Sequence, residues 1–233
     1  MTDSSFREES GTTGETERLL TATLIIALVA AVFALLVFSW LGREVVTGVT
    51  PAMDERLRVE LHTHASPGLT GFMIAVSRFG GPSWLVPIAL AIALGFLIHG
   101  WRRGALLIIV TLSGAGLLNT LLKQTFARSR PEAFFDYPLP VSQSFPSGHA
   151  IFAASVFGGL AVLVTDRLGS TPLRALVWAI ALVLILLVGL SRVYLGVHYP
   201  SDVLAGYAVA VLWVVGVALG DRVATRRFRR RSR

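Results

Sequence analysis

The sequence predicts an all-α, polytopic membrane protein: a bundle of six transmembrane helices with short interfacial helices in the first external loop. Three observations carry this. Of 233 residues, 54% are hydrophobic and only 15% charged, and the mean hydropathy of +0.68 exceeds what a water-soluble surface accommodates. The apolar residues gather in blocks of roughly 20, the length that crosses about 30 Å of hydrocarbon at about 1.5 Å per residue. Basic residues punctuate the ends of those blocks. Long runs of Leu, Ile, Val and Phe also exclude a disordered chain, and the lack of cysteine excludes disulfides and thiolate chemistry.

The first block runs from Leu19 to Leu41 between Arg18 and Arg43, too long for a signal-peptide core and preceded by an acidic, Thr-rich leader. The second, Pro82 to Trp101, ends at Arg102 and Arg103, and the third, Gly104 to Leu122, stops at Lys123. The fourth opens after Pro146 and closes at Asp166, the fifth runs from Ala175 to Leu190, and the sixth from Val203 to Gly220. All are expected to be helices, because an isolated strand leaves its backbone unsatisfied in lipid. Between the first two blocks, Met53, Leu57 and Leu61 recur among Asp54, Glu55, Arg56, Arg58 and Glu60, the pattern of a short amphipathic helix on the bilayer surface. A second stripe, Leu69, Phe72, Met73, Val76 and Phe79, breaks at Gly80-Gly81-Pro82 and reads either as a loop packed on the bundle or as a lipid access route. Three parts are expected: a disordered cytoplasmic leader over 1–18, the six-span unit over 19–222, and a basic cytoplasmic tail over 223–233.

Orientation follows from the arginines. With the N-terminus in the cytoplasm, Arg7, Arg18, Arg102, Arg103, Arg167, Arg174, Arg222 and the cluster from Arg226 to Arg233 lie inside, as the positive-inside rule requires. That leaves Arg43, Arg56, Arg58, Arg78, Lys123, Arg128, Arg130 and Arg192 outside. Three polar motifs then come to the same outer face: Lys123-Gln-Thr-Phe-Ala-Arg-Ser-Arg130-Pro131, Pro146-Ser147-Gly148-His149, and Ser191-Arg192 with His198 and Asp202. Residues far apart in sequence thereby converge on one site.

The patterns K-x6-R-P, P-S-G-H and S-R-x5-H-x3-D, in this order and on six spans, resemble the type-2 phosphatidic acid phosphatase superfamily of membrane lipid phosphatases. The resemblance covers the chain from the first span to the sixth. It implies catalytic roles for His198, His149 and Asp202, and phosphate binding by the residues of the first two motifs and Arg192.

The residues support the same chemistry by themselves. A phosphate monoester carries up to two negative charges, so its hydrolysis needs charge compensation, a nucleophile and a proton for the leaving oxygen. Lys123, Arg130 and Arg192 are three cations, the arginines offering planar multi-donor contacts and the lysine a point charge. Ser147 and Gly148 stand where the fourth helix starts, with free N–H groups and the positive end of the dipole. Ser147 reads as a helix N-cap that also donates to phosphate rather than as a nucleophile. His198 is the nucleophile candidate, because a carboxylate at Asp202 can fix one ring nitrogen and present the other. Pro200 sets this pair as a loop-to-helix contact. His149 is left as general acid, then as base for the water that cleaves the phosphohistidine.

No metal and no cofactor are expected. His62 and His64 lack a third ligand, and His99 reads as interfacial. Glu132 and Asp136 either shape substrate access or are solvated. The basic tail fits membrane topology and anionic headgroups, not nucleic acid. The expectation is an integral plasma-membrane enzyme that removes the terminal phosphate of a lipid phosphate or isoprenoid diphosphate, such as undecaprenyl diphosphate, phosphatidic acid or phosphatidylglycerol phosphate. Two alternatives stand beside it: a phosphotransferase using the same phosphoenzyme, and a non-catalytic lipid-binding or transport protein. The sequence sets no oligomeric state.

Overall fold

The computed structural model describes residues 4–48 and 51–231. They form α1 (Ser4–Thr47), α2 (Pro51–Thr63), α3 (Pro67–Phe79), α4 (Pro82–Ile98), α5 (Arg102–Phe126), α6 (Gly148–Thr165), α7 (Thr171–Tyr194) and α8 (Pro200–Arg231), with no strand among the described residues. Five segments are long and apolar enough to cross a membrane: Leu24–Thr47, Arg102–Phe126, Gly148–Thr165, Thr171–Tyr194 and Pro200–Thr225. The chain is a multi-pass membrane protein. Helix α1 begins at Ser4, upstream of the apolar run, where composition predicts a disordered leader; no proline interrupts this stretch, and helix propagates readily from a formed span.

The second span departs from the expected straight helix. With 17 residues, α4 covers roughly 26 Å, short of the hydrocarbon. Helices α3 and α4 are long and apolar enough only together, and they meet at a 48° bend. The bend has two causes. Pro82 opens α4 and cannot continue the hydrogen-bond ladder of α3. At Gly80, α3 presses so closely on α7 that a Cβ would lie 2.2 Å from Val188. The stripe from Leu69 to Phe79 is therefore the first arm of a bent helix pair, α3 with α4, that is long and apolar enough to cross a membrane as one unit.

Helix α2 also corrects the sequence reading. Its apolar residues Met53 and Leu57 face outward, Met53 at 73% exposure, but Asp54 and Arg58 are 5% and 6% exposed. These two charges point into the protein, where α2 packs on α7 and α8. Hydropathy alone assigns such charges to water.

Helix α6 is the centre of the bundle and packs against α4, α5, α7 and α8. Small residues, among them Ala89, Ala93, Ala105, Ala115 and Ala153, let the backbones approach closely around Leu85, Ile108 and Ile151. Large apolar side chains such as Ile26, Phe33 and Leu182 are exposed on the outside, as lipid-facing residues are. The C-terminal ends of α1, α5 and α7 and the N-terminal ends of α4, α6 and α8 meet at one end, with α2 and α3 beside them. All three polar motifs lie at that end.

Candidate functional site

The turn between α7 and α8 builds the centre of the site. Gly196 takes a left-handed φ of +75°, and a Cβ there would strike the Phe134 amide at 2.7 Å, so the turn needs glycine twice over. Pro200 then starts α8 and puts Asp202 in its first turn. His198 and Asp202 are 1% and 0% exposed. The imidazole Nδ1 lies 3.3 Å from Asp202 Oδ2, the loop-to-helix contact expected from the sequence. That carboxylate oxygen also accepts from the Tyr199 N–H at 2.9 Å and the Ser144 hydroxyl at 2.5 Å. With Nδ1 donating to Asp202, the free lone pair sits on Nε2. Burial pushes the His198 pKa down to about 3, Asp202 opposing this and the charges of Arg130 and Arg192 reinforcing it. The imidazole is therefore neutral at ordinary pH, as a nucleophile must be.

The three motif cations surround this histidine. Arg130, in the loop after α5, donates from Nη1 to His198 Nε2 at 3.0 Å and to the Val197 carbonyl at 2.7 Å. Its Nε bonds the Ser142 carbonyl at 2.7 Å. Lys123, in the last turn of α5, donates to the Gln143 carbonyl, an acceptor that Arg130 shares at 3.2 Å. Arg192 is 1% exposed near the end of α7. One of its nitrogens donates to the Ser77 hydroxyl, and its Nε is buried without a partner. None of the three makes an ion pair among the described residues. Their charges rest on neutral acceptors and stay available to an anion. Burial, then Arg192, lowers the Arg130 pKa to about 10.

Ser147, Gly148 and His149 open α6 toward the same place. Ser147 occupies the N-cap position but makes no side-chain cap bond. Its hydroxyl is buried and unpartnered, which corrects the expected capping role and leaves it free to donate elsewhere. Gly148 permits close packing, since a Cβ would lie 2.8 Å from the Asn119 side-chain oxygen. The first intrahelical bond, Ile151 N–H to the Ser147 carbonyl, leaves the preceding amides of the helix without intrahelical acceptors. His149 and Arg192 line a cavity of about 320 Å³. The His149 Nε2 touches Gly81, lying 2.8 Å from where a Cβ would stand.

Behind Asp202 is a layer that sequence reasoning missed. Arg128 donates to Asp202 Oδ1 at 2.7 Å and to Asp54 Oδ2 at 2.9 Å. Asp54 in turn accepts from the Ser201 amide at 2.9 Å and hydroxyl at 2.5 Å. Arg128 sits inside the first motif, but only the fold brings it to α2. Other residues have local duties. His62 stacks on Phe134 with centroids 4.0 Å apart, and His64 contacts the Glu60 carbonyl at 3.0 Å. His99 contacts the Gly95 carbonyl at 2.8 Å. Asp136 is exposed and takes a φ of 51° in the loop turn, and the Glu132 carbonyl accepts from Arg58 at 2.6 Å. Another cavity, of about 260 Å³, lies at the opposite end of the bundle. There Arg103 is paired with Asp221 and Arg167 stacks 3.8 Å over Trp101, so less free charge is on offer.

Residues 104–225 match the PAP2 superfamily. The chain is 33% identical over 178 residues to phosphatidylglycerophosphatase B of Bacillus subtilis, covering 76% of this chain and 87% of that protein. It is 29% identical over 144 residues to an undecaprenyl-diphosphatase of Sulfolobus acidocaldarius, covering 60% of this chain and 64% of that one. The crystal structure of a transmembrane PAP2-type phosphatidylglycerolphosphate phosphatase from Bacillus subtilis superposes with a TM-score of 0.76 at 32% identity, over 82% of this chain and 96% of that chain.

Proposed function

The chain belongs to the PAP2 superfamily of membrane lipid phosphatases, and from that premise we propose that it hydrolyses the terminal phosphate of a lipid phosphate or isoprenoid diphosphate through a phosphohistidine at His198. The observation that carries this reading is a buried, neutral imidazole held by Asp202 on one nitrogen and met by Arg130 on the other. An arriving phosphoryl group takes over the Arg130 donor, which frees the Nε2 lone pair for attack. Lys123, Arg192, the Ser147 hydroxyl and the Gly148 amide compensate the charge that spreads over the phosphoryl oxygens. As the N–P bond forms, the P–O bond to the lipid breaks and its electron pair stays on the leaving oxygen. His149 gives that oxygen a proton, then takes one from the water that cleaves the phosphoenzyme.

The arrangement suits a lipid. The cations gather at one end of the bundle, so the tail can stay in the bilayer while the phosphate reaches them. Relatives named for phosphatidylglycerol phosphate and undecaprenyl diphosphate support those substrate classes, and phosphatidic acid belongs with them chemically. The arginine distribution supports a plasma-membrane enzyme with both termini in the cytoplasm and the site on the outer face. Residues 19–222 are then the catalytic unit, flanked by leader and tail.

The test is purified protein in detergent against a panel of lipid mono- and diphosphates, with inorganic phosphate as the readout. Release without any added alcohol acceptor, undiminished by a chelator, is the expected result. A strict phosphotransferase releases none until an acceptor is supplied, and a lipid-binding protein releases none at all.

A further inference from the structure

We propose that Arg78 is a specificity-determining residue that binds a second phosphate carried by the leaving group; this rests on the lipid phosphatase reading above. Displacement at phosphorus is in line, so the leaving group departs on the side opposite His198 Nε2. On the His149 side there is room for it: the cavity of about 320 Å³ is walled by His149 and Arg192, by Tyr137 from the long loop, and by Ile74, Arg78 and Trp84 from the bent helix pair.

The bend between α3 and α4 fixes Arg78 there. Gly80 closes α3 by donating its N–H to the Val76 carbonyl at 2.8 Å, which leaves Arg78 in the last helical turn. The next glycine brings the main chain against the general acid. A Cβ on Gly81 would stand 2.8 Å from His149 Nε2 and 3.3 Å from the Arg78 carbonyl, so the Arg78 backbone and the imidazole are neighbours.

The charge around this cavity is unbalanced. No carboxylate lines it among the described residues. Arg192 gives one donor to Ser77, and the Arg78 side chain makes no hydrogen bond or ion pair among the described residues. The other outer arginines near the site are held differently: Arg58 pairs with Glu55, Arg128 with Asp54 and Asp202, and Arg130 rests on backbone carbonyls. A neutral leaving alcohol gives Arg78 nothing to bind. A leaving group with its own phosphate, either the inner phosphate of a diphosphate or the diester of a phosphorylated glycerophospholipid, offers oxygens for charge-assisted, multi-donor contacts. In the diphosphate case the P–O bond to the bridging oxygen breaks, the electron pair leaves with the lipid monophosphate, and Arg78 offsets the charge gained there.

Four substrates in two matched pairs test this: farnesyl diphosphate against farnesyl monophosphate, and phosphatidylglycerol phosphate against phosphatidic acid. Phosphate release is measured for the purified full chain, Arg78→Gln and Arg78→Lys. In at least one pair, Arg78→Gln should lower the kcat/KM ratio of two-phosphate to one-phosphate substrate by about tenfold or more, the scale of one charged hydrogen bond. Arg78→Lys should recover part of it. A change confined to the farnesyl pair places the bound phosphate next to the cleaved bond; one confined to the glycerolipid pair places it a glycerol away. Ratios within about twofold of the parent in both pairs, whether or not all rates fall together, overturn the proposal and reduce Arg78 to general attraction of anionic lipid. If the parent releases no phosphate from any of the four, the lipid phosphatase reading itself fails.

Discussion

Arg128 and Arg130 stand two residues apart in one loop and do opposite things with the same charge. Arg128 touches two buried carboxylates, Asp54 and Asp202, and its guanidinium lies over the Tyr199 ring with its centre 4.1 Å from the centroid. Arg130 meets backbone carbonyls, a serine hydroxyl and the His198 imidazole. The difference separates wall from working surface. A cation matched to carboxylates holds elements together, because a buried ion pair is costly to break. A cation resting on neutral acceptors keeps a positive potential that only an arriving anion satisfies. The depressed pKa of Arg130 is the other face of this: burial and Arg192 disfavour its charge until something negative comes.

The largest effect is expected at His198, the proposed nucleophile. His198→Ala should reduce phosphate release by about 10⁴-fold or more in a steady-state assay, since loss of a nucleophile removes the covalent route. The sharpest contrast comes next. Arg130→Gln should lower kcat/KM by about 10² to 10³-fold, as loss of a donor to a developing anion does, and leave the melting temperature unchanged or raised. Arg128→Gln should instead cost about 3 kcal/mol of stability, because two buried carboxylates lose their cation. If the two variants exchange these signatures in paired melting and kinetic measurements, the division between wall and working surface is wrong.

Asp54→Asn sharpens it further. Asp54 is a positioning residue that acts through Arg128 on Asp202, so kcat should fall by about tenfold with KM little changed. Acid sensitivity follows from His198. Folded, its pKa is about 3; unfolded, it returns to about 6.5. Between those values the unfolded chain binds more protons, so the stability from a neutral His198 is complete above about pH 6.5 and is lost as pH falls toward 3. A His198→Asn variant should show a shallower fall in melting temperature across that window. The smallest effect is expected from truncation after Val223, which should leave turnover within about twofold, because that end of α8 lies at the opposite end of the helix from Asp202.

What could be read from the sequence was local or periodic. The first, third, fourth, fifth and sixth spans announce themselves by length and hydropathy, and His198, Asp202, Lys123 and Arg130 stand in short patterns whose chemistry is legible residue by residue. The second span was harder, because α4 alone is too short and its partner α3 has the look of a surface stripe until Gly80 is found against Val188. Asp54 was illegible for a different reason. Its charge implies water, and the residues that justify its burial, Arg128 and Ser201, lie 74 and 147 positions away. Ser77 under Arg192 is 115 positions from it, and Ser144 carries no signal beyond lying just before Pro146. Pattern reading finds the motif residues that gather around His198; the groups that hold them come from long-range packing.

The proposed chemistry turns on a covalent bond at one nitrogen. Rapid-quench labelling of the purified chain with a lipid substrate carrying a labelled terminal phosphate, followed by peptide mass spectrometry under alkaline conditions that preserve phosphohistidine, tests it directly. The predicted result is a transient phosphoryl adduct on His198 that forms at least as fast as turnover and decays fast enough to account for it. Product formation in a single turnover with no adduct, or an adduct on any other residue, contradicts it.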